Sequence, residues 1–213
     1  MQIRHVIWDW NGTLVNDASL CVEIVNDLLE EYSLNQVDLN YYRNNFKFPV
    51  SAYYKKLGLP YEGIEYEEIA IKFISRYREL SHKCNLQPFA RETINRIFNL
   101  EINQSVLSAS NTKDLDNFIS NYGLSKYFVS VDGVSNIYAC GKFDVAAYPF
   151  RKLTRNKKEI MIVGDTHHDH EIAKKLGIGC MLYSMGHCSS SSLNALNVKK
   201  TNDLRTVVDR LIS

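Results

Sequence analysis

The residues with the clearest chemical potential lie near the N-terminus, in the stretch HVIWDWNGTLVND at positions 5–17. Asp9 ends an apolar run, and Gly12 and Thr13 follow it in a sequence typical of a tight turn. Backbone N–H groups in such a turn can bind an anion, and a carboxylate beside a bound phosphate can attack phosphorus. The stretch predicts Asp9 as a nucleophile with Gly12 and Thr13 as phosphate-binding residues, although a turn or helix cap is the simpler interpretation of Asp9 alone.

Two positions far from Asp9 in the sequence supply groups that could bind and neutralise a phosphate. Ser108 closes the run SVLS and offers its hydroxyl, together with the backbone N–H groups that follow from Ala109 onward, to phosphate oxygens. Lys142, in the stretch CGKFD, can neutralise the negative charge that builds up on a transferring phosphoryl group. We therefore expect Ser108, Ala109 and Lys142 to bind phosphate, with Lys142 also taking part in catalysis.

Carboxylates suited to a metal ion follow a third apolar run. Asp165 ends the run EIMIVGD, and Asp169 lies one helical turn later. Carboxylates that face Asp9 would bind Mg²⁺, which prefers hard oxygen ligands, and the cation would offset the repulsion between an anionic nucleophile and an anionic phosphate. The pattern predicts Mg²⁺ as the cofactor.

The elements that must position these residues follow an alternating pattern. The apolar runs at 3–9, 104–110 and 159–165 are short and rich in Val, Ile and Leu, as expected for strands buried on both faces of a parallel sheet. Helical patterns at 91–101, 112–123, 142–153 and 169–177 follow or separate them, and a further short strand is expected at 179–183. The alternation predicts an α/β fold, a doubly wound Rossmann-like parallel sheet, with its ligand site beyond the carboxyl ends of the strands.

A helical segment interrupts this alternation directly after the first strand. Residues 16–85 carry helical apolar stripes and are punctuated by Pro49 and Pro60. We expect an α/β core domain formed by residues 1–15 and 86–213, and a helical cap domain formed by residues 16–85.

The composition bounds the possible partners. The 213 residues include 25 Lys plus Arg against 24 Asp plus Glu, so no excess positive charge draws the chain to nucleic acid or to an anionic membrane. No apolar run approaches the roughly 20 residues that span a bilayer. Five cysteines without a C-x-x-C pair are typical of reduced thiols in a cytoplasm. We expect a cytoplasmic protein that acts on a small-molecule phosphate ester, and the sequence leaves open whether it is a monomer or a homodimer.

The motifs together resemble those of the haloacid dehalogenase superfamily, in its phosphatase branch. DWNGTLV, VLSAS, Lys142 and GDTHHD are similar to the four family motifs in their order and spacing, and the helical segment lies where that family carries its type-1 cap. The chain is also similar to a phosphoglycolate phosphatase-like subgroup. The resemblance implies Asp9 as nucleophile and Mg²⁺ held by Asp9, the Asn11 backbone carbonyl and Asp165, with Asp169 supporting the metal shell or Lys142.

Asn11 departs from the phosphatase pattern, in which an aspartate at this position protonates the leaving group and then activates water. An asparagine side chain cannot exchange a proton, and general acid–base catalysis contributes typically ~10²–10⁴-fold to a rate. Asn11 thus predicts slow turnover of substrates with poor leaving groups.

Two of the candidate residues have simpler interpretations. Lys142 lacks the proline that commonly follows the corresponding lysine, so a solvated surface lysine is an alternative. Asp169 is also typical of a first-turn aspartate favoured by the helix dipole. The histidines of HHDH at 167–170, His168 among them, could suggest a transition-metal site, but they are expected to be exposed.

The leading hypothesis is a Mg²⁺-dependent phosphatase that forms an aspartyl-phosphate, with phosphoglycolate as the candidate substrate by resemblance alone. One alternative is a non-catalytic or slow phosphate-binding regulatory protein that has lost turnover through Asn11. Another is a phosphonate C–P hydrolase or a phosphotransferase of the same superfamily. The C–P reaction would need a Schiff-base lysine in the cap, for which the candidates are Lys47, Lys55, Lys56, Lys72 and Lys83.

Overall fold

The computed structural model describes residues 2–134 and 156–212. Within these residues, six strands form one parallel sheet in the order β3-β2-β1-β4-β5-β6. The strands are β1 (His5–Trp8), β2 (Asn103–Asn111), β3 (Ser130–Val134), β4 (Ile160–Gly164), β5 (Gly179–Tyr183) and β6 (Lys199–Thr201). The expected α/β parallel sheet is confirmed.

From residue 90 onward, five α-helices accompany the strands in the described residues. They are α5 (Ala90–Asn99), which precedes β2, α6 (Thr112–Asn121), α7 (His167–Leu176), the short α8 (Ser190–Leu193) and α9 (Arg205–Ile212). The predicted helix at 142–153 falls outside the described residues.

The central strand β1 is buried on both faces, and its side chains alternate between two apolar clusters. Val6 and Trp8 pack in a cluster that includes Ile94 of α5, whereas Ile7 packs in a second cluster with Ile172 of α7. Successive side chains of a strand point to opposite faces of the sheet, which explains this alternation. Burial on both faces explains why β1 appears in the sequence as a continuous apolar run.

The sequence patterns do not predict the two edge strands. β3 has the sequence SVDGV and β6 has the sequence KKT, so neither carries an apolar run. Each strand pairs with one neighbour and lies at an end of the sheet, where polar side chains can face solvent. Their pairing depends on the neighbouring strand more than on their own hydrophobicity.

Four helices lie between β1 and α5 and share an apolar cluster of their own. They are α1 (Ala18–Glu31), α2 (Leu39–Asn45), α3 (Val50–Leu57) and α4 (Gly63–Leu80). The chain leaves and rejoins the sheet at adjacent points, because Asn16 N–H donates to Asn85 O at 2.9 Å and Gln87 N–H donates to Leu14 O at 2.9 Å. None of the helices in the described ranges is both long and apolar enough to cross a membrane.

His5 is a titratable group buried within the sheet. Its side chain is 1% exposed, its Nε2 lies 2.8 Å from Ser105 Oγ, and its Nδ1 has no hydrogen-bond partner among the described residues. Burial lowers the pKa of His5 from 6.5 to about 4. The unfolded chain therefore binds a proton more readily than the folded chain between these two pH values.

We expect the free energy of unfolding to fall as the pH falls from 6.5 to 4, by up to about 3 kcal/mol from His5 alone. His5→Gln, which keeps a polar side chain near Ser105, should remove this part of the pH dependence. Urea denaturation at several pH values measures the effect, with the exposed His82→Gln as the matched control. An unchanged pH dependence in His5→Gln would show that His5 does not titrate in this way.

Candidate active site

The candidate residues meet at the carboxyl ends of three adjacent strands. Asp9 directly follows β1, Ser108 lies in β2, and Asp165 directly follows β4. Trp8 pairs in register with Val106 of β2 and with Val163 of β4, and Asp9 N–H donates to Val163 O at 2.8 Å. From β1 the chain adds β2 and β3 on one side of the sheet and then β4, β5 and β6 on the other. Open parallel sheets bind ligands at the point where the strand order changes direction in this way.

Three carboxylates form a buried cluster at this edge. Oxygen atoms of Asp9, Asp165 and Asp169 lie within 4.8 Å of one another, and the three residues are 4%, 0% and 0% exposed. Burial raises the pKa of Asp165, and the charge of Asp169 raises it further, although His187 acts in the opposite direction. A cluster of like charges in a buried site favours a cation, and carboxylate oxygens are the ligands that Mg²⁺ takes. The donor set therefore fits Mg²⁺.

Hydrogen bonds fix the orientation of the carboxylates. Thr13 Oγ1 donates to Asp165 Oδ1 at 2.9 Å, and the backbone N–H of His187 donates to Asp165 Oδ2 at 2.6 Å. The N–H of Trp10 donates to Asp9 Oδ1 at 2.7 Å. The hydroxyl of Thr13, expected to bind phosphate, thus contacts the candidate metal ligand Asp165.

The position of Asp169 is compatible with both roles that the sequence leaves open. Its Oδ2 accepts hydrogen bonds from Thr166 N–H at 3.1 Å and Thr166 Oγ1 at 2.7 Å, as a first-turn aspartate of α7 does. The same side chain belongs to the acidic cluster. The adjacent His168 is buried, at 5% exposed, and its ring centroid lies 5.1 Å from that of Phe48, so the expectation that His168 is exposed is wrong.

Glycines make the close approach of these groups possible. Gly12 has φ +75°, and a Cβ built there would collide with the Asp165 carboxylate and the His187 ring. A Cβ at Gly164 would collide with Asp169, and one at Gly186 would collide with Asp165. Glycine is required at Gly12 by its backbone conformation and at all three positions by space.

The side chain of Asn11 is saturated with hydrogen bonds. Its amide nitrogen lies 2.7 Å from Asp17 Oδ2 and 2.8 Å from Tyr77 Oη. Its carbonyl oxygen accepts hydrogen bonds from Ser110 Oγ at 2.8 Å and Ser108 Oγ at 3.2 Å. All the donors and acceptors of the amide group are therefore used, and Asn11 connects Tyr77 of α4 and Asp17 to β2.

Asp17 is a site residue that sequence reasoning misses. It is 0% exposed and accepts hydrogen bonds from Gly12 N–H at 2.8 Å and Tyr77 Oη at 2.7 Å, and it lies 3.3 Å from His187 Nε2. Burial would raise the pKa of Asp17, but the charge of His187 and the hydrogen bonds hold it below its usual value. Its position just before α1 is typical of a helix cap, yet its side chain makes no cap hydrogen bond.

His187 connects the loop after β5 to both helix α2 and the acidic cluster. Burial alone would lower its pKa, but the pairing with Asp17 raises the pKa to about 9. Its Nδ1 lies 2.9 Å from the hydroxyl of Tyr42 on α2. The sequence signal for His187 is its place in a loop that follows a strand of the sheet.

Comparison with known proteins identifies the family. The sequence model described as haloacid dehalogenase-like hydrolase matches residues 6–183. The chain belongs to this family. Among curated proteins, no significant match to the chain was found.

Solved structures share the fold of this haloacid dehalogenase-like hydrolase. A haloacid dehalogenase-like hydrolase from Streptococcus pneumoniae superposes with a TM-score of 0.82 at 17% identity over 98% of both chains. A predicted phosphatase from Clostridium acetobutylicum gives 0.81 at 17% identity over 100% of this chain and 99% of the other. A predicted phosphoglycolate phosphatase from Haemophilus somnus gives 0.77 at 20% identity over 99% and 98%.

A cavity lies between the helices α1–α4 and the sheet edge of this hydrolase. Its floor includes Asp9 and Asn11, and Ala109 of β2 and His187 also line it. Residues from all four helices form the opposite wall. Ser108 is 0% exposed and is not part of the cavity lining, and its Oγ accepts from Ser110 N–H at 3.0 Å. Lys142 lies outside the described residues.

We expect Asn11→Asp to destabilise this hydrolase by about 1–3 kcal/mol, because it replaces an amide donor 2.7 Å from Asp17 Oδ2 with a second carboxylate. The double variant Asn11→Asp/Asp17→Asn exchanges amide and carboxylate and should recover part of the loss. Urea denaturation measures both, with Asn35→Asp in an exposed loop as the control. Equal stability of Asn11→Asp and the wild type would contradict the hydrogen-bonding scheme.

Proposed function

We propose that this haloacid dehalogenase-like hydrolase is a Mg²⁺-dependent phosphatase that cleaves small-molecule phosphate monoesters through an aspartyl-phosphate on Asp9. The observation that carries the proposal is the buried cluster of Asp9, Asp165 and Asp169 beside the turn at Gly12. A nucleophile, a set of hard oxygen ligands and an anion-binding turn meet there at one edge of the sheet.

In the first step, the Asp9 carboxylate attacks phosphorus, and the bond between phosphorus and the ester oxygen breaks. The bonding electron pair leaves with that oxygen, and the phosphoryl group is transferred to Asp9. The backbone N–H groups of Thr13 and Ala109 are the proposed partners of the phosphate oxygens. The N–H of Gly12 and the hydroxyls of Ser108 and Ser110 already donate to Asp17 and Asn11 and would have to exchange these partners to join them. Lys142 keeps its proposed role in neutralising the phosphoryl charge.

Asp9, Asp165 and the backbone carbonyl of Asn11 are the proposed ligands of Mg²⁺, with Asp169 at the same cluster. When bound, the cation would neutralise the charges that the carboxylates and the phosphate bring together. Thr13 and the backbone N–H of His187 hold Asp165 in place for this role.

In the second step, water attacks the aspartyl-phosphate, and inorganic phosphate leaves as the Asp9 carboxylate is restored. Asn11 cannot accept a proton from that water, and its side chain is fully engaged with neighbouring groups. We therefore propose that this step is slow. The same observation favours the second candidate function, a phosphate-binding regulatory protein with little turnover.

Residues 16–85 are proposed to act as a cap domain on a core formed by residues 1–15 and 86–213. The chain crosses between the two at adjacent points, and the Tyr42–His187 contact connects the cap to the site. A cap that covers the site would exclude water during transfer and select the substrate. The five lysines between residues 16 and 85 are all exposed, which disfavours a Schiff-base C–P hydrolase.

Asp9→Asn should abolish phosphate release, because an amide is a very poor nucleophile. Phosphate release from a panel of phosphate monoesters with Mg²⁺ measures the effect. Asp116→Asn, an exposed change on α6, serves as the control and should retain wild-type activity. Near-native turnover by Asp9→Asn would exclude the covalent mechanism.

Mg²⁺ should raise the free energy of unfolding of the wild type, by about 2.7 kcal/mol at a concentration of 100 times its Kd. Asp165→Asn should lose most of this stabilisation, because it removes a charged oxygen ligand from the cluster. Thermal unfolding at increasing Mg²⁺ concentrations measures the effect without any need for turnover. The exposed Asp209→Asn is the control, and an unchanged Mg²⁺ response in Asp165→Asn would remove Asp165 from the metal site.

A further inference from the structure

The cavity above Asp9 has a wall rich in aromatic side chains. Phe46 and Phe48 follow α2, Tyr53 lies on α3, and Phe73 and Tyr77 lie on α4. Phe73 and Tyr77 are stacked, with ring centroids 6.3 Å apart and an interplanar angle of 12°. A wall of this kind offers a large apolar contact area and the stacking and edge contacts that a further aromatic ring prefers.

The same cavity offers little to a negatively charged leaving group. Among the described residues, no lysine or arginine lines it, and the one histidine, His187, is paired with Asp17. A carboxylate on the substrate, as in phosphoglycolate, would find only His187, whose charge is already paired with Asp17, and would lose its hydration against the aromatic rings. The described wall therefore disfavours phosphoglycolate.

One residue of the wall, Tyr53, carries a buried hydroxyl group without a hydrogen-bond partner among the described residues. Tyr53 is 1% exposed. A buried hydroxyl without a partner costs about 1–3 kcal/mol. A polar group on a bound ligand would supply the missing partner.

Asn11 restricts the leaving group independently of the wall. An alkoxide needs a proton as it leaves, whereas a phenolate can leave without one. Since the Asn11 side chain cannot supply a proton, the site suits an ester whose oxygen is attached to an aromatic ring.

We propose that the substrate is an aryl phosphate whose aromatic ring occupies the cavity formed by α1–α4 and whose polar substituent bonds to the Tyr53 hydroxyl. This inference rests on the proposed function. As the Asp9 oxygen bonds to phosphorus, the bond from phosphorus to the aryl oxygen breaks, and the phenolate leaves with the electron pair. The phenolate takes its proton from solvent.

Binding of non-hydrolysable phosphonates tests the proposal separately from turnover. Benzylphosphonate, ethylphosphonate and 3-phosphonopropionate replace the ester oxygen of phenyl phosphate, methyl phosphate and phosphoglycolate with a methylene group. Titration calorimetry on the full chain with Mg²⁺ should give a Kd for benzylphosphonate at least about tenfold lower than for the other two. Equal affinity for all three, or a preference for 3-phosphonopropionate, overturns the aryl inference and leaves the phosphate site intact.

If neither the phosphonates nor inorganic phosphate binds, the proposed phosphatase function fails together with the inference. A fast turnover of alkyl phosphates with tight benzylphosphonate binding would instead support the cavity's role and overturn the argument from Asn11.

Two variants test whether the aromatic ring of benzylphosphonate binds against Phe73. Phe73→Ala should weaken benzylphosphonate binding about tenfold and leave ethylphosphonate binding unchanged, whereas Ile71→Ala, on the exposed side of α4, should change neither. If Phe73→Ala does not fold, Phe73→Leu, which keeps the side chain apolar and removes the ring, replaces it. Unchanged benzylphosphonate affinity in the folded variant would place the ring elsewhere.

Tyr53→Phe tests the polar contact and keeps the aromatic wall. At least one of the 2-, 3- and 4-hydroxy isomers of benzylphosphonate should bind the wild type about 2–10-fold more tightly than benzylphosphonate itself. Tyr53→Phe should lose that gain and keep the affinity for unsubstituted benzylphosphonate. A gain that persists in Tyr53→Phe, or its absence in the wild type for all three isomers, would exclude the contact to Tyr53.

Discussion

The structure of the site depends on the confinement of three carboxylates at one edge of the sheet. Asp9, Asp165 and Asp169 are buried within a few ångströms of one another, and burial and mutual repulsion raise the pKa of Asp165. Neighbouring residues reduce the free-energy cost of burying these charges. Thr13 and the backbone of His187 donate hydrogen bonds to the carboxylate oxygens, and glycines leave the space that these donors need. The arrangement is most stable with a cation among the carboxylates.

A further buried carboxylate, that of Asp17, organises the residues around Asn11. Asp17 accepts hydrogen bonds from the Asn11 amide and from Tyr77, and pairs with His187. The negative charge of Asp17 thereby holds α4, the turn at Gly12 and the loop after β5 together. Asn11 connects this group to β2 through its bonds to Ser108 and Ser110.

The sequence predicted the sheet and the meeting of Asp9, Ser108 and Asp165 because both follow from local patterns. A doubly buried strand requires a continuous apolar run, and parallel strands place their carboxyl ends at one edge. The edge strands β3 and β6 carry no apolar run and could not be predicted in this way.

The role of Asp17 in the site could not be predicted, because its sequence position is typical of a helix cap. Its hydrogen-bond and ion-pair partners, Tyr77 and His187, lie 60 and 170 residues further along the chain. His168 is buried by Phe48 of the helical segment, a contact that no local pattern encodes.

Rapid acid quench of the wild type mixed with 4-nitrophenyl phosphate and Mg²⁺ tests the central claim most directly, namely transfer to Asp9 followed by slow attack of water. The claim predicts a burst of 4-nitrophenolate close to the enzyme concentration, a slower steady rate, and a phosphoryl group on the peptide that contains Asp9. Linear release with no phosphoryl group on the protein, or a phosphoryl group on a different residue, would contradict it.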